Sequence, residues 1–181
     1  FYGENVDFGI FFVPLVMFIL LAMTNSVNLT DGMDGLAGGV SVIVTASFVY
    51  IASTLSDNMS IALGIALIGV LIGFLFYNRY PAKIFMGDTG SMALGGIISG
   101  LAILTKTELF LPIIGFVYLM ESLSVIIQVA YFKKTGGKRI FRMSPIHHHF
   151  EEGGMKENRV VLMFYGFALI SVLLGIAIYS I

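Results

Sequence analysis

Six long apolar stretches alternate with short polar connections, at roughly 8–23, 36–55, 61–77, 89–104, 109–132 and 160–181. A helix needs roughly 20 apolar residues to cross a hydrocarbon layer about 30 Å thick, and fewer where the span is short or buried. The third stretch is unbroken (I-A-L-G-I-A-L-I-G-V-L-I-G-F-L-F-Y), and the fourth is shorter and rich in glycine, which suits a helix inside the bundle. None of the runs alternates polar and apolar residues as the strands of a membrane barrel do. The pattern predicts an all-α integral membrane protein, a polytopic bundle of six transmembrane helices forming a single membrane domain over residues 1–181.

Composition supports this. Apolar residues make up 57% of the chain, charged residues 12%, and the mean hydropathy is +0.95. Soluble domains carry about a quarter charged residues, so this chain lacks the charge to cover a water-facing surface. Disordered chains are poor in apolar residues, which excludes that class. The net charge of −1 gives no basic field for nucleic acid. With no cysteine, disulfides, zinc thiolates and thiol catalysis are excluded. The opening Phe1-Tyr2-Gly3 lacks an initiator Met and a basic segment before an apolar run. No signal peptide is expected, and either an N-terminal part was removed or the chain is a portion of a longer protein.

Basic residues orient the spans. Every Lys and Arg except Lys106 falls in one set of connections. By the positive-inside rule the loops at 24–34, 78–88 and 133–159 are cytoplasmic, while 56–60, 105–108 and both chain ends face outward. Glycine pairs four apart, Gly35/Gly39, Gly69/Gly73 and Gly96/Gly100, let helices approach closely and read as packing positions.

The polar residues that call for explanation gather on that same face. In N-S-V-N-L-T-D-G-M-D-G-L-A-G-G, residues 25–39, Asn28 or Thr30 can cap the second span, with Asp31 and Asp34 in its first turn. Two acids together with Asn25, Asn28 and glycines that bare the backbone exceed what a cap requires. Carboxylates three apart share a helix face, where they can hold Mg²⁺, accept from a sugar or base, or activate a nucleophile. In N-R-Y-P-A-K-I-F-M-G-D-T-G-S, residues 78–91, Pro81 ends the third span and Gly87-Asp88-Thr89-Gly90-Ser91 opens the fourth. A helix N-terminus attracts phosphate, which Asp88 repels unless a cation lies between, so Asp88 reads as an Mg²⁺ ligand bridging to diphosphate; an ordinary acidic cap is the alternative. Phe85 can stack on a flat base or simply dip into the membrane interface.

The loop at 133–159 carries His147, His148 and His149, which cannot all face one way on a helix. Their adjacency does not match zinc-ligand spacing, so contact with phosphate or sugar is the alternative. Lys133 and Lys134 also suit anchoring to anionic lipid heads. Within the fifth span, Glu121, Ser124 and Gln128 share one face near the cytoplasmic end, and a carboxylate there should face the bundle, either lining the site or only joining helices. The chain holds no P-loop, G-x-G-x-x-G or G-x-S-x-G pattern. Residue chemistry alone therefore reaches a carboxylate–Mg²⁺ site at the cytoplasmic membrane surface, suited to a soluble diphosphate substrate and a lipid one.

The motifs N-L-T-D-G-M-D-G-L-A, F-M-G-D-T-G-S and M-S-P-I-H-H-H-F-E, in this order between spans, resemble the phospho-N-acetylmuramoyl-pentapeptide-transferases of the polyprenyl-phosphate N-acetylhexosamine-1-phosphate transferase superfamily. The likeness covers essentially the whole chain, which matches the C-terminal six of that family's ten spans. It implies transfer of phospho-MurNAc-pentapeptide from UDP-MurNAc-pentapeptide to undecaprenyl phosphate, giving lipid I and UMP, with Mg²⁺. It also implies a bacterial inner (plasma) membrane with the active site on the cytoplasmic face, and a homodimer. By position it makes Asp31, Asp88, His147 and His148 catalytic candidates, with Asp88 the Mg²⁺ ligand. Asn25, Asn28, Leu29, Asp34, Asn78, Phe85, Gln128 and His149 become substrate-binding candidates, Phe85 stacking on uracil. The family's adjacent Asp-Asp pair has no counterpart in these residues, so the stretch alone is expected to be inactive. The nearest rival is a sister transferase using UDP-GlcNAc. A transporter would instead place polar groups at mid-membrane in several helices, and a non-catalytic scaffold would not need the Asp and His constellation.

Overall fold

The computed structural model describes residues 8–180. The expected outward N-terminal end at Phe1 and the last residue of the sixth span, Ile181, lie outside the described residues. The chain is helical, with no strand among the described residues. It runs through α1 (Phe12–Thr30), α2 (Leu36–Thr54), α3 (Asn58–Asn78), α4 (Gly87–Leu104), the short α5 (Leu111–Ile114), α6 (Phe116–Lys134), the short α7 (Ile146–Glu151) and α8 (Glu157–Tyr179). Among the described residues, six helices are long and apolar enough to cross a membrane. The protein is a multi-pass membrane bundle.

α2 is the central helix, packed against α3, α8 and α4. Its apolar window is 67% buried, against 17% for α3. Val40, Val44, Phe48 and Ile51 of α2 meet Ile98 and Leu101 of α4 and Phe164 of α8 in one buried cluster. In lipid the apolar effect does not separate core from surface, so helix contacts depend on small residues and on hydrogen bonds between helices. Both are present. A Cβ at Gly95 of α4 would fall 2.6 Å from the Met23 carbonyl oxygen of α1, so only glycine permits that approach. Ser122 Oγ donates to Ser26 Oγ at 2.6 Å, and Ser41 and Tyr118 hydroxyls meet at 2.7 Å.

Several boundaries differ from the sequence expectation. α1 continues to Thr30, so Asn25, Asn28 and Thr30 belong to its last turns rather than to a loop. Neither Asn28 nor Thr30 caps α2, and Asp31 and Asp34 precede its first turn. The N-cap is Gly35, whose φ of 81° suits a residue without Cβ. The fifth span is not continuous: α5 ends at Ile114 and α6 begins at Phe116, with Gly115 between them. Of the glycine pairs, Gly39 packs under the Tyr165 ring, but Gly69, Gly73 and Gly100 have open space where a Cβ would stand. A Cβ at those three would meet nothing among the described residues.

Candidate functional site

The site is built where the C-terminal ends of α1 and α3 meet the N-terminal ends of α2, α4 and α8. A helix N-terminus leaves N–H groups without intrahelical partners. α2 has no side-chain cap of its own, and distant residues fill the need. The Gly35 N–H donates to Asn78 Oδ1 at 3.1 Å, and the Asp34 N–H donates to Glu157 Oε1 at 2.9 Å. Asn78 is buried, and its Nδ2 donates to the Ile84 carbonyl at 2.9 Å. Asp34 Oδ2 accepts from the Ala82 N–H at 2.8 Å. Asn78 and Asp34 together fasten the 79–86 loop, which presents Phe85 with 76% of its surface exposed.

The acid pair joins α1 to α4. Asn28 Nδ2 donates to Asp88 Oδ1 at 3.1 Å and to Ser91 Oγ at 2.9 Å. One turn beyond Asn28, Asp31 closes α1, its N–H bonded to the Val27 and Asn28 carbonyls. Burial, and then the negative charge of Asp88, push the Asp31 carboxyl up to about 6. The two carboxylates lie close enough to repel, and among the described residues no basic side chain offsets them by an ion pair. Asp34 is committed to the loop at 79–86 instead. The three acids thus share one end of the bundle while only Asp31 and Asp88 act on each other. Asn25 is turned away, its Nδ2 donating to the Leu21 carbonyl of its own helix at 2.7 Å. Leu29 is half-buried on the last turn of α1.

The histidine segment folds back onto the same end. Gln128 is buried; its Oε1 accepts from the Ile140 and Phe141 N–H groups at 3.0 Å, and its Nε2 donates to the Phe141 carbonyl at 3.1 Å. This pins the loop that leads to α7. There the three histidines diverge as expected of neighbours on a helix. His147 is fully buried with Nδ1 3.0 Å from Glu121 Oε2. His148 is half-buried beside Glu151 at 2.9 Å. His149 accepts at Nδ1 from the Arg142 N–H at 3.1 Å. His147 and His148 both lie against Gly32, in the turn that carries Asp31.

Three separate connections therefore converge, through Asn28–Asp88 and through Gly32–His147. Ser91 and Glu157 take part without having been singled out as site residues, while Glu121, read as either lining the site or joining helices, pairs with His147. For Ser91 the available signal was its place three residues after Asp88 on one helix face. Glu157 carried no signal beyond opening a helix. No group of three or more His, Cys, Asp or Glu is poised around a metal among the described residues. Asp31 and Asp88 nonetheless offer two mutually repelling carboxylates, an arrangement that a divalent cation relieves.

The description Glycosyl transferase family 4 matches residues 1–106. The chain belongs to that family. It is 54% identical over 170 residues, 94% of its length, to a phospho-N-acetylmuramoyl-pentapeptide-transferase of Heliobacterium modesticaldum, covering 53% of that protein. The enzyme of the same name from Clostridioides difficile is 53% identical over 161 residues, 88% of this chain and 50% of the relative. That from Moorella thermoacetica is 50% identical over 179 residues, 99% of this chain and 56% of the relative. The chain spans about half the length of the curated relatives it matches.

Proposed function

We propose that this family member forms the acid- and histidine-bearing part of a transferase. The enzyme moves phospho-MurNAc-pentapeptide from UDP-MurNAc-pentapeptide to undecaprenyl phosphate at the cytoplasmic face of a bacterial plasma membrane. The observation that carries the reading is the Asn28 bridge to Asp88, together with the nearby Asp31 carboxyl, which burial and then the Asp88 charge push upward. The names of the relatives agree with it. In balanced form, an oxygen of the lipid phosphate bonds to the sugar-bearing phosphorus of the nucleotide sugar. The bond from that phosphorus to the bridging oxygen breaks, and UMP leaves with the electron pair.

Two anionic substrates must meet beside two acids. Mg²⁺ is held typically by one or two carboxylates together with substrate phosphates, so Asp88, with Asp31 beside it, suits that ion. When bound, the ion neutralises charge on the diphosphate and so eases departure of UMP. The protein's own part is positioning. Asn28 fixes the Asp88 carboxylate through one oxygen, leaving the other for a ligand. Asn78 and Asp34 hold the loop at 79–86 so that Phe85 stands clear to stack on uracil. His148 lies against Gly32 in the Asp31 turn, where sugar and phosphate oxygens would lie, and His149 follows it on α7.

The test is UMP release by the intact membrane enzyme carrying this chain, with Mg²⁺, undecaprenyl phosphate and either UDP-MurNAc-pentapeptide or UDP-GlcNAc. Turnover confined to the muramoyl substrate supports the proposal. Turnover of UDP-GlcNAc in its place assigns the chain to the sister activity and overturns it.

A further inference from the structure

Glu121 is a carboxylate in the first turns of a membrane-spanning helix, with no exposed surface. Such a residue is expensive to bury and calls for a reason. Its Oε2 meets His147 Nδ1 at 3.0 Å, and both side chains are fully buried. A joint between α6 and α7 does not require this pair. Apolar residues of similar volume at a buried ion pair are often neutral or stabilising. The pair is also incompletely satisfied, since Glu121 Oε1 and His147 Nε2 are buried without hydrogen-bond partners. Buried polar atoms are nearly always paired, so an unpaired ring nitrogen marks a position held for something other than stability.

The direction of that nitrogen supplies the reason. His147 Nε2 lies against Gly32; a Cβ at position 32 would stand 2.8 Å from His147 Cε1 and nearer still to Nε2. Gly32 follows Asp31 directly and is itself exposed. A carboxylate accepts and does not donate, so the proton of His147 sits on Nδ1 and Nε2 is the nitrogen turned to the acid-bearing turn. His149 adopts the opposite arrangement, accepting at Nδ1 from the Arg142 N–H. Imidazoles two residues apart are thus set in different tautomers by different partners.

We infer that Glu121 is a positioning residue of this site, acting through His147 to hold the imidazole with Nε2 against the Asp31–Gly32 turn and so to set the histidine segment against the acid pair. The inference rests on the proposed transferase reading and adds to it a residue within the membrane-spanning part of the bundle. The effect resembles that of carboxylates which orient histidine ligands from behind, whose loss commonly lowers activity 10- to 100-fold, on the order of one to two decades.

The experiment uses the intact membrane enzyme labelled with ¹⁵N-histidine, the His147 ring signals being assigned by their absence in His147→Asn. The wild-type ring is expected to carry its proton on Nδ1. Glu121→Gln, which keeps an acceptor oxygen, should preserve that tautomer and most of the turnover. Glu121→Leu should mix the tautomers and lower kcat by about tenfold or more, with KM for the nucleotide sugar changed less than about threefold. A wild-type His147 protonated on Nε2 overturns the inference whether or not the leucine variant folds. So does a folded Glu121→Leu protein with wild-type kcat. Persistence of turnover in Asp88→Asn would strike the transferase reading instead and leave the ring-nitrogen result standing.

Discussion

The two ends of the bundle use the same residue types to different effect. At the end carrying Lys106, Asp57 bonds within its own turn, accepting from the Met59 and Ser60 N–H groups at 3.1 and 3.2 Å and from the Ser60 hydroxyl. Those bonds, the Ser60 hydroxyl first, hold its carboxyl below the ordinary value. Thr105 and Thr107 likewise pair with each other at 2.7 Å. At the opposite end the partners come from other helices: Asn28 with Asp88, Asn78 with Gly35, Glu157 with Asp34, Glu121 with His147. There Asp31 is pushed upward, to about 6. An acid that satisfies its own helix is a cap. One held by distant segments, against a like charge and partly out of water, is poised for a ligand.

The contrast can be broken in four ways. The largest expected effect is at Asp88. Asp88→Asn keeps the Asn28 and Ser91 neighbourhood but removes the charge, and should lower turnover by about 10²-fold or more with the thermal midpoint little changed. UMP release alongside a melting curve reads both, and normal turnover removes Asp88 from the ligand role. Next is Phe85→Ala. Stacking of a base on an aromatic ring is worth about 1–3 kcal/mol, so KM for the UDP substrate should rise about tenfold with kcat less affected. Unchanged KM and inhibitor affinity would leave Phe85 as an interface residue.

The third is a pH dependence of stability. Because the folded Asp31 carboxyl titrates near 6, above its unfolded value of 3.8, the protonated form is favoured by the fold. Its contribution to stability is complete below the unfolded value and is lost as pH rises through about 6. In metal-free protein the melting temperature should therefore fall across that window, and Asp31→Asn should flatten the fall. A wild-type profile that is level there would contradict the upward shift that burial and then the Asp88 charge impose on Asp31. The smallest effect belongs to the other end. Asp57→Asn should leave kcat and KM unchanged while slightly weakening the start of α3. A substantial catalytic loss from Asp57→Asn would dissolve the distinction between the ends.

Much of the architecture was legible in the chain. Length and hydropathy of the runs located all six spans, because the membrane demands long apolar helices whatever their neighbours. The grouping of basic residues placed the three polar connections together, as the contacts among Asn28, Asp88, Asp34, Glu157 and His147 bear out. The boundaries were less legible. Asn25 and Asn28 resemble loop residues by type, yet α1 carries them because their amide groups find acceptors on α1 and α4. Gly115 breaks the fifth span although its surroundings are apolar throughout, and hydropathy does not register a change of helix direction.

Glycine spacing misled for a related reason. Gly69, Gly73 and Gly100 have the period of a contact face but open space where a Cβ would stand, whereas Gly95 takes a close approach to α1. Spacing along one helix specifies a face. It does not specify which neighbour that face meets.

Sequence by itself determined that the chain inhabits a membrane and that acids and histidines crowd into a few stretches at and between its spans. Both follow from local quantities, apolar run length and residue type. Tertiary structure decided which acids meet, since Asn28 and Asp88 are 60 positions apart and Asp34 and Glu157 are 123 apart. It also decided that Asn78 braces a loop from within and that Glu121 stands behind His147. Those outcomes depend on the rotation and lateral packing of helices about one another, which no single helix encodes.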